Sequence, residues 1–335
     1  LDPGRYDALN NLGILLGRRG KLDDAEKVLA KVVELAPGYA DARQNLANLY
    51  LRTGRVGDAV QQCIDGLIDS PRDPMLRRVL GMAYTSLGRR DEAIAVWRAW
   101  LDVEPDNPLP RFHLHACTGE GVPERAGDVY VEQTFDRFAE SFESVLNERL
   151  QYQAPQLCAG LLARLLPPPA RQFVMLDAGC GTGLCGPLMA PWARVLAGVD
   201  LSRGMLDRAQ TKGVYQDLYK AELTEFLTLS PDQWEVIVSA DTLCYFGDLS
   251  RVLAAAAGSL KAGGTLVFTV EALPDAVGLP LQIQPHGRYA HHAGHLDAAL
   301  SAAGLQTLAC EPVLLRNEGG QPVQGWLVGA RRPAD

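Results

Sequence analysis

Two fold classes are predicted within this 335-residue chain: an array of helical repeats, then a doubly wound α/β domain. Three observations predict them. Several residue columns recur every 34 positions through the first third of the chain. From about residue 172 onward, short apolar runs alternate with helical segments, the pattern of strands covered by helices. Between the first such run and the next helix stands a glycine-rich loop, LDAGCGTGLCG, from Leu176 to Gly186.

The repeat comes first. Pro37, Pro71 and Pro105 form one column; Ala25, Ala59 and Ala93, Gly20, Gly54 and Gly88, and Leu12, Leu46 and Leu80 form three more. Paired helices explain them. Small residues (Gly13, Ala47, Gly81) sit where two helices cross, opposite the alanine column, and Leu16, Tyr50 and Tyr84 fill the groove between repeats. Glycine ends the first helix of each pair, an acid follows in the next first turn, and proline stops the second helix.

This period and these columns, over residues 6–105, resemble the tetratricopeptide repeat. NPLPRFHLHA reads as a further helix capping the stack, since a terminal repeat must cover its neighbour's apolar face. The resemblance implies a concave surface that binds peptides. Asn11 and Asn45 share one repeat position, and Asn48 lies close by, so amide side chains are candidates to hold a peptide backbone. Val79 takes that position in the third repeat, which keeps the ladder short. Capping or inter-repeat bonding is the competing use of these asparagines.

Composition narrows the classes. An apolar share of 47% with 21% charged residues describes a globular protein, and a net charge of -8 disfavours a nucleic-acid binder. Seven scattered cysteines without a CxxC pair fit a reducing compartment. No apolar run reaches the ~20 residues of a membrane span and no signal segment opens the chain, so the expectation is cytoplasmic. His291 and His295 are at i, i+4, but no neighbouring acid or cysteine completes a metal set; none is expected.

The second part begins after CTGEGVPERAGD, read as a linker. The stripe Phe135, Phe138, Phe142 marks one helical face. FVMLDAG, RVLAGVDLS, WEVIVSAD and GTLVFTVEA then read as parallel strands, and the final pair around NEGGQ as a hairpin whose last strand runs antiparallel. Gly181, Gly183 and Gly186 fit the dinucleotide pattern GxGxxG, which alone is weak. Asp177, however, stands two residues before Gly179. An acid there suits a cationic ligand and not a pyrophosphate. S-adenosylmethionine carries an ammonium and a sulfonium and no phosphate. Asp200, at the next strand end, is placed to accept both ribose hydroxyls, and Glu222 to receive the adenine amino group.

Together these residues resemble the class I S-adenosylmethionine-dependent methyltransferases over about residues 130–331, and the whole chain resembles bacterial members that carry N-terminal tetratricopeptide repeats. TFDRFAESFE, GVDLSRGML, ADTLCYFGDL and GRYAHH also carry the likeness. It implies a Rossmann-like sheet of seven mostly parallel strands. It implies that Asp177, Gly179, Gly181 and Gly183 hold the methionine part, Asp200 and Leu201 the ribose, and Glu222 and Leu223 the adenine. Glu222 stands where the family usually has aspartate, one methylene shorter. The phenylalanine helix becomes a lid placing Phe135 and Phe138 over the cofactor. Asp241, at the fourth strand's end, and Tyr289 and His291 are the catalytic candidates. Arg288 and Tyr245 are expected to shape the acceptor pocket.

The expected organisation is three repeats plus a capping helix over 1–118, a linker and lid over 119–154, and the methyltransferase domain over 155–335. Because the repeats suit recruitment, a peptide or protein acceptor is favoured. The rivals are a small-molecule methyltransferase with the repeats as scaffold or oligomerisation module, a nicotinamide-dependent oxidoreductase, and a non-catalytic adaptor. The sequence does not fix the acceptor atom, the partner or the oligomeric state.

Overall fold

A computed structural model describes residues 3–139, 142–143, 151–318 and 321–334. The chain divides into two units, Leu1–Val122 and Pro123–Asp335.

The first unit is three helix pairs and a seventh helix: α1 (Pro3–Arg18) with α2 (Leu22–Leu35), α3 (Ala40–Arg52) with α4 (Val56–Asp69), α5 (Pro74–Ser86) with α6 (Arg90–Leu101), then α7 (Pro108–Thr118). Gly20, Gly54 and Gly88 close the first helix of each pair with φ between 68° and 76°, a conformation side chains resist. Asp73 and Asn107 cap α5 and α7 by accepting backbone N–H bonds, with proline next in each case. The alanine column is fully buried. The small-residue column meets a different partner from the one expected. A Cβ on Gly13 would lie 2.6 Å from Leu29, and one on Gly81 2.3 Å from Trp97. Both partners lie one turn beyond the alanines, so the helices cross closest there. Trp97 is fully buried and its ring stacks on His113 of α7 at 5.0 Å, which is how the last helix covers the third pair.

In the second unit α8 (Asp128–Phe138) and α9 (Ala154–Leu165) precede a sheet. Its elements run β1 (Phe173–Ala178), α10 (Gly186–Met189), β2 (Ala193–Asp200), α11 (Arg203–Gln210), β3 (Asp217–Lys220), α12 (Leu223–Thr228), β4 (Trp234–Ser239), α13 (Ser250–Ser259) and β5 (Leu260–Ala272). There follow β6 (Leu281–Ile283), β7 (Tyr289–His291), α14 (Ala293–Ala302), β8 (Gln306–Glu318) and β9 (Gln321–Arg331). Strands β3-β2-β1-β4-β5 are parallel neighbours. β9 lies antiparallel against β5, and β8 against β9. Those seven strands match the expected plan. The short hairpin β6–β7, which pairs with the far end of β5, was not anticipated.

Alternation along each strand splits the core between the two faces. Leu176, Ile237, Leu266 and Phe268 pack on one side with Leu253, Ala256, Leu296 and Leu300 from α13 and α14. Their neighbours Met175, Val236, Val238 and Val267 pack on the other with Leu161, Leu162, Leu206 and Ala209 from α9 and α11. Helices on both faces are what a parallel sheet requires. The strands therefore end together, and the carboxyl ends of β1, β2 and β4 form a crevice at the point where chain order reverses. Among the described residues no helix is long and apolar enough to cross a membrane.

Candidate functional site

A cleft of about 950 Å3, counting its open mouth, occupies that crevice. Its walls include Asp177, Gly179, Gly181, Asp200, Leu201, Glu222, Leu223, Asp241 and Tyr245, with Phe135 and Phe142 opposite. Four acids arrive at the ends of four strands, β1 to β4.

Asp177 leaves β1 buried, and the Tyr215 hydroxyl donates to its Oδ2 at 2.6 Å. Burial pushes its carboxyl up to about 7, against the pull of that hydrogen bond. Asp200 leaves β2 with its carboxylate accepting from the Gly181 N–H at 2.9 Å and the Ser202 N–H at 2.8 Å. It thus ties the glycine loop to the strand. Burial raises its carboxyl, and those backbone donors oppose the shift. Glu222 is the N-cap of α12, accepting from the Glu225 N–H at 2.8 Å and the Thr224 hydroxyl at 3.1 Å. Glu222 thus caps α12 while its side chain stays on the cleft wall.

The loop backbone is fixed as well. Gly179 and Cys180 both donate to the Val199 carbonyl, at 2.8 and 2.9 Å. Gly183 is set back from the cleft, against the Tyr215 ring and Ala209. It serves the close approach of loop and helix. Cys180 and Cys185 also touch the cleft, and burial raises both thiols well above their ordinary value.

Helix α8 lies across the opening. Its Asp136 accepts from the Ser202 hydroxyl and from the Gly204 N–H, and its Glu132 pairs with Lys220. Phe135 packs edge-on against Phe142 (6.0 Å) and Tyr245 (5.5 Å). The Phe138 side chain lies outside the described residues.

Asp241 follows β4 in a left-handed backbone, φ 55°, unusual for a residue with a side chain. Its N–H donates to Thr269 Oγ1 at 2.9 Å, and Arg316 Nη1 donates to its Oδ2 at 2.8 Å. Burial raises the Asp241 carboxyl and Arg316 pulls against that. Arg316, on β8, escaped the sequence reading; a lone cation in the apolar run PVLLR was the available signal.

The other three acceptor-side candidates are placed behind the wall. Tyr289 is fully buried and donates to the Pro123 carbonyl at 2.7 Å. His291 is buried, with Nε2 3.0 Å from the Phe246 carbonyl, and burial with His295 nearby lowers it to about 4. Arg288 pairs with Glu271 and Glu318. His291 thus holds the Phe246 carbonyl, the Tyr289 ring lies against Gly247, Arg288 is taken up by its two glutamates, and none of the three lines the cleft. In the first unit, Asn45 donates to Asn10 Oδ1 at 2.9 Å, an inter-repeat bond; Asn11 is exposed and Asn48 half-buried.

Charged lining among the described residues comes to four carboxylates (Asp177, Asp200, Glu222, Asp241) and one guanidinium, Arg125, which pairs with Asp128. The lining fits S-adenosylmethionine: carboxylates are available to receive an ammonium and ribose hydroxyls, and among the described residues no unpaired cation lines the cleft to meet a pyrophosphate. No group of three or more potential ligands for a metal occurs among the described residues.

Comparison with known proteins agrees. Residues 150–309 match a family described as a methyltransferase domain, and residues 18–81 one described as a tetratricopeptide repeat. Human methyltransferase-like protein 27 is 35% identical over 130 residues, covering 38% of this chain and 51% of that protein. The ubiquinone biosynthesis O-methyltransferase of Coxiella burnetii is 31% identical over 98 residues, 28% of this chain and 42% of that one. The chain thus spans about half the length of these curated relatives or less. Among solved structures, the [4+2]-cyclase SpnF is 19% identical with a TM-score of 0.52, covering 62% of this chain and 97% of that one, a likeness of fold. An S-adenosylmethionine-dependent methyltransferase from Mesorhizobium loti aligns at 21% identity and TM-score 0.43, over 52% and 96%.

Proposed function

We propose that this chain, which joins tetratricopeptide repeats to an S-adenosylmethionine-dependent methyltransferase domain, methylates a peptide or protein that its repeats recruit. One observation carries the reading: Asp177, Asp200 and Asp241 stand on adjacent strand ends around one cleft. Bound there, S-adenosylmethionine supplies an electrophilic methyl group. The protein's part is to orient and to exclude water. Asp177 would take the ammonium, Asp200 the ribose hydroxyls, and Glu222 with Leu223 the adenine edge. Phe135 and Tyr245 keep water from the transfer point, and Asp241 faces the acceptor. Tyr289 and His291 support that wall from behind.

The Asp177 carboxyl gives a pH signature. With its proton affinity centred near pH 7 in the free protein, a bound ammonium favours the ionised form, so binding releases a proton. Affinity for S-adenosylhomocysteine should be flat above about pH 7.5. Below pH 7 it should weaken, by up to about tenfold per unit. Calorimetry from pH 5.5 to 8.5 reads both affinity and proton release; an affinity that improves toward acid would contradict the assignment.

Recruitment is tested by removing residues 1–122. The remaining unit has its own core and every cleft residue, so S-adenosylhomocysteine affinity should stay within about threefold. Labelling of a lysate acceptor from radioactive S-adenosylmethionine should fall steeply, with the loss in KM, since remote contacts contribute binding. Undiminished labelling by the truncated protein would remove the case for recruitment.

A further inference from the structure

We propose that the cleft takes a cationic amine as its acceptor, received by Asp241, and that Arg316 of the C-terminal hairpin is the residue that positions Asp241. This rests on the methyl-transfer reading above.

The argument starts from a buried ion network behind the cleft. Arg316, 3% exposed, donates to Asp241, Glu271 and Glu318. Arg288 donates to Glu271 and Glu318. His286 Nε2 lies 3.4 Å from Glu271, and burial, with Arg288 beside it, lowers the imidazole to about 4, so it is neutral at pH 7. Among the described residues, three carboxylates therefore share two guanidiniums, and one negative charge is left over. Of these residues, only Asp241 lines the cleft.

Acceptor classes separate on that charge. A carboxylate would meet an anionic floor, with both guanidiniums already committed and Arg125 held by Asp128. A hydroxyl would bring no compensating charge, and its alkoxide would be repelled. An ammonium supplies the missing cation, and the rings of Phe135 and Tyr245 beside it are compatible with positive charge.

The network also sorts the three carboxylates by proton affinity. Burial works to raise Glu271 and Glu318, but the cations around each outweigh it and hold both below their ordinary values. Asp241 alone ends above its ordinary value. It is therefore the member suited to accept a proton. In the step, the acceptor ammonium gives one proton to Asp241. The freed nitrogen lone pair forms the N–C bond as the methyl C–S bond breaks, its electron pair remaining on sulfur. Arg316 acts at one remove: with Thr269 it holds the carboxylate of a strained residue at one angle.

The test uses full-length protein saturated with S-adenosylhomocysteine and three capped peptides, Gly-Lys-Gly, Gly-Ser-Gly and Gly-Glu-Gly, measured by calorimetry. The lysine peptide should bind at least tenfold more tightly than the other two. Asp241→Asn should erase that preference while S-adenosylhomocysteine affinity stays within threefold. Arg316→Met removes the cation that favours ionised Asp241. The preference should then persist at pH 8.5 but be lost toward acid at a pH about one unit higher than in the native protein, and Arg316→Lys should restore most of the native profile. Should Arg316→Met fail to fold, the pair variant Arg316→Met with Glu271→Met removes opposite charges together and carries the same expectation. Equal binding of the three peptides overturns the proposal, as does a preference that survives Asp241→Asn or whose pH profile is unchanged by the loss of Arg316. Failure of the unaltered protein to bind S-adenosylhomocysteine would instead bring down the cofactor reading and this proposal together.

Discussion

Gly179→Ala is expected to abolish measurable S-adenosylhomocysteine binding and to lower the melting temperature of the α/β unit. Two costs coincide at this residue. Its φ of 74° is one that a side chain resists, at about 1–2 kcal/mol. A Cβ there would also lie 2.1 Å from Thr242 Oγ1 and 2.3 Å from Cγ2, inside any tolerable contact. Thr242 cannot simply rotate away at no cost, because its hydroxyl donates to the Gly179 carbonyl at 3.1 Å. The chain must therefore move where the ligand has to approach. A total of about 2–4 kcal/mol is expected, in the range of overpacked, strained positions. Adding Thr242→Ala should recover part of the stability, since it removes the collision and leaves the dihedral cost. Thermal melts and calorimetry on both variants separate the terms. A Gly179→Ala protein with native affinity would show that the loop does not approach the ligand.

Some of this architecture was legible in the sequence because it is periodic. The 34-residue columns arise from a packing unit that repeats, and Trp97 against Gly81 is one instance of a contact the period demands. Acids at the ends of β1, β2 and β4 were legible as positions for a related reason: a strand announces where it ends, and parallel strands end on one side. What the sequence withheld depends on pairing at a distance. Arg316 stands two residues from Glu318 but 45 from Glu271 and 75 from Asp241, and a buried cation can be understood only with its partners present. Tyr289 and His291 looked like site residues because they lie in a family-like stretch. The β6–β7 hairpin, too short to stand out as strands, carries them behind the wall. Asn45 offered the same ambiguity in miniature. An amide at a repeat position serves a peptide or the next repeat equally well by composition, and here it bonds Asn10. Glu222 shows how one residue answers two demands, capping a helix and facing the cleft.

Asp200→Ala should cost at least about a hundredfold in S-adenosylhomocysteine affinity, with secondary structure retained. If the carboxylate accepts both ribose hydroxyls, two charge-assisted hydrogen bonds are lost, each worth roughly 1.5–3 kcal/mol. Even the lower figure, doubled, corresponds to about two orders of magnitude in Kd. A second loss is specific to this structure. The same carboxylate accepts the Gly181 and Ser202 N–H groups, so alanine also releases the glycine loop from the end of β2. The two contributions are separable. Asp200→Asn retains an acceptor oxygen and nearly the same shape, so it should keep part of the loop tie while weakening the charge-assisted ribose bonds. Its affinity should fall between the native and alanine proteins. A ligand without the ribose diol, 2′,3′-dideoxy-S-adenosylhomocysteine, supplies the closing comparison. Native protein should bind it poorly, and Asp200→Ala should weaken it far less than it weakens the parent compound. If the diol-free ligand and the parent lose equally on Asp200→Ala, the residue's contribution lies in the loop alone and the ribose assignment is wrong.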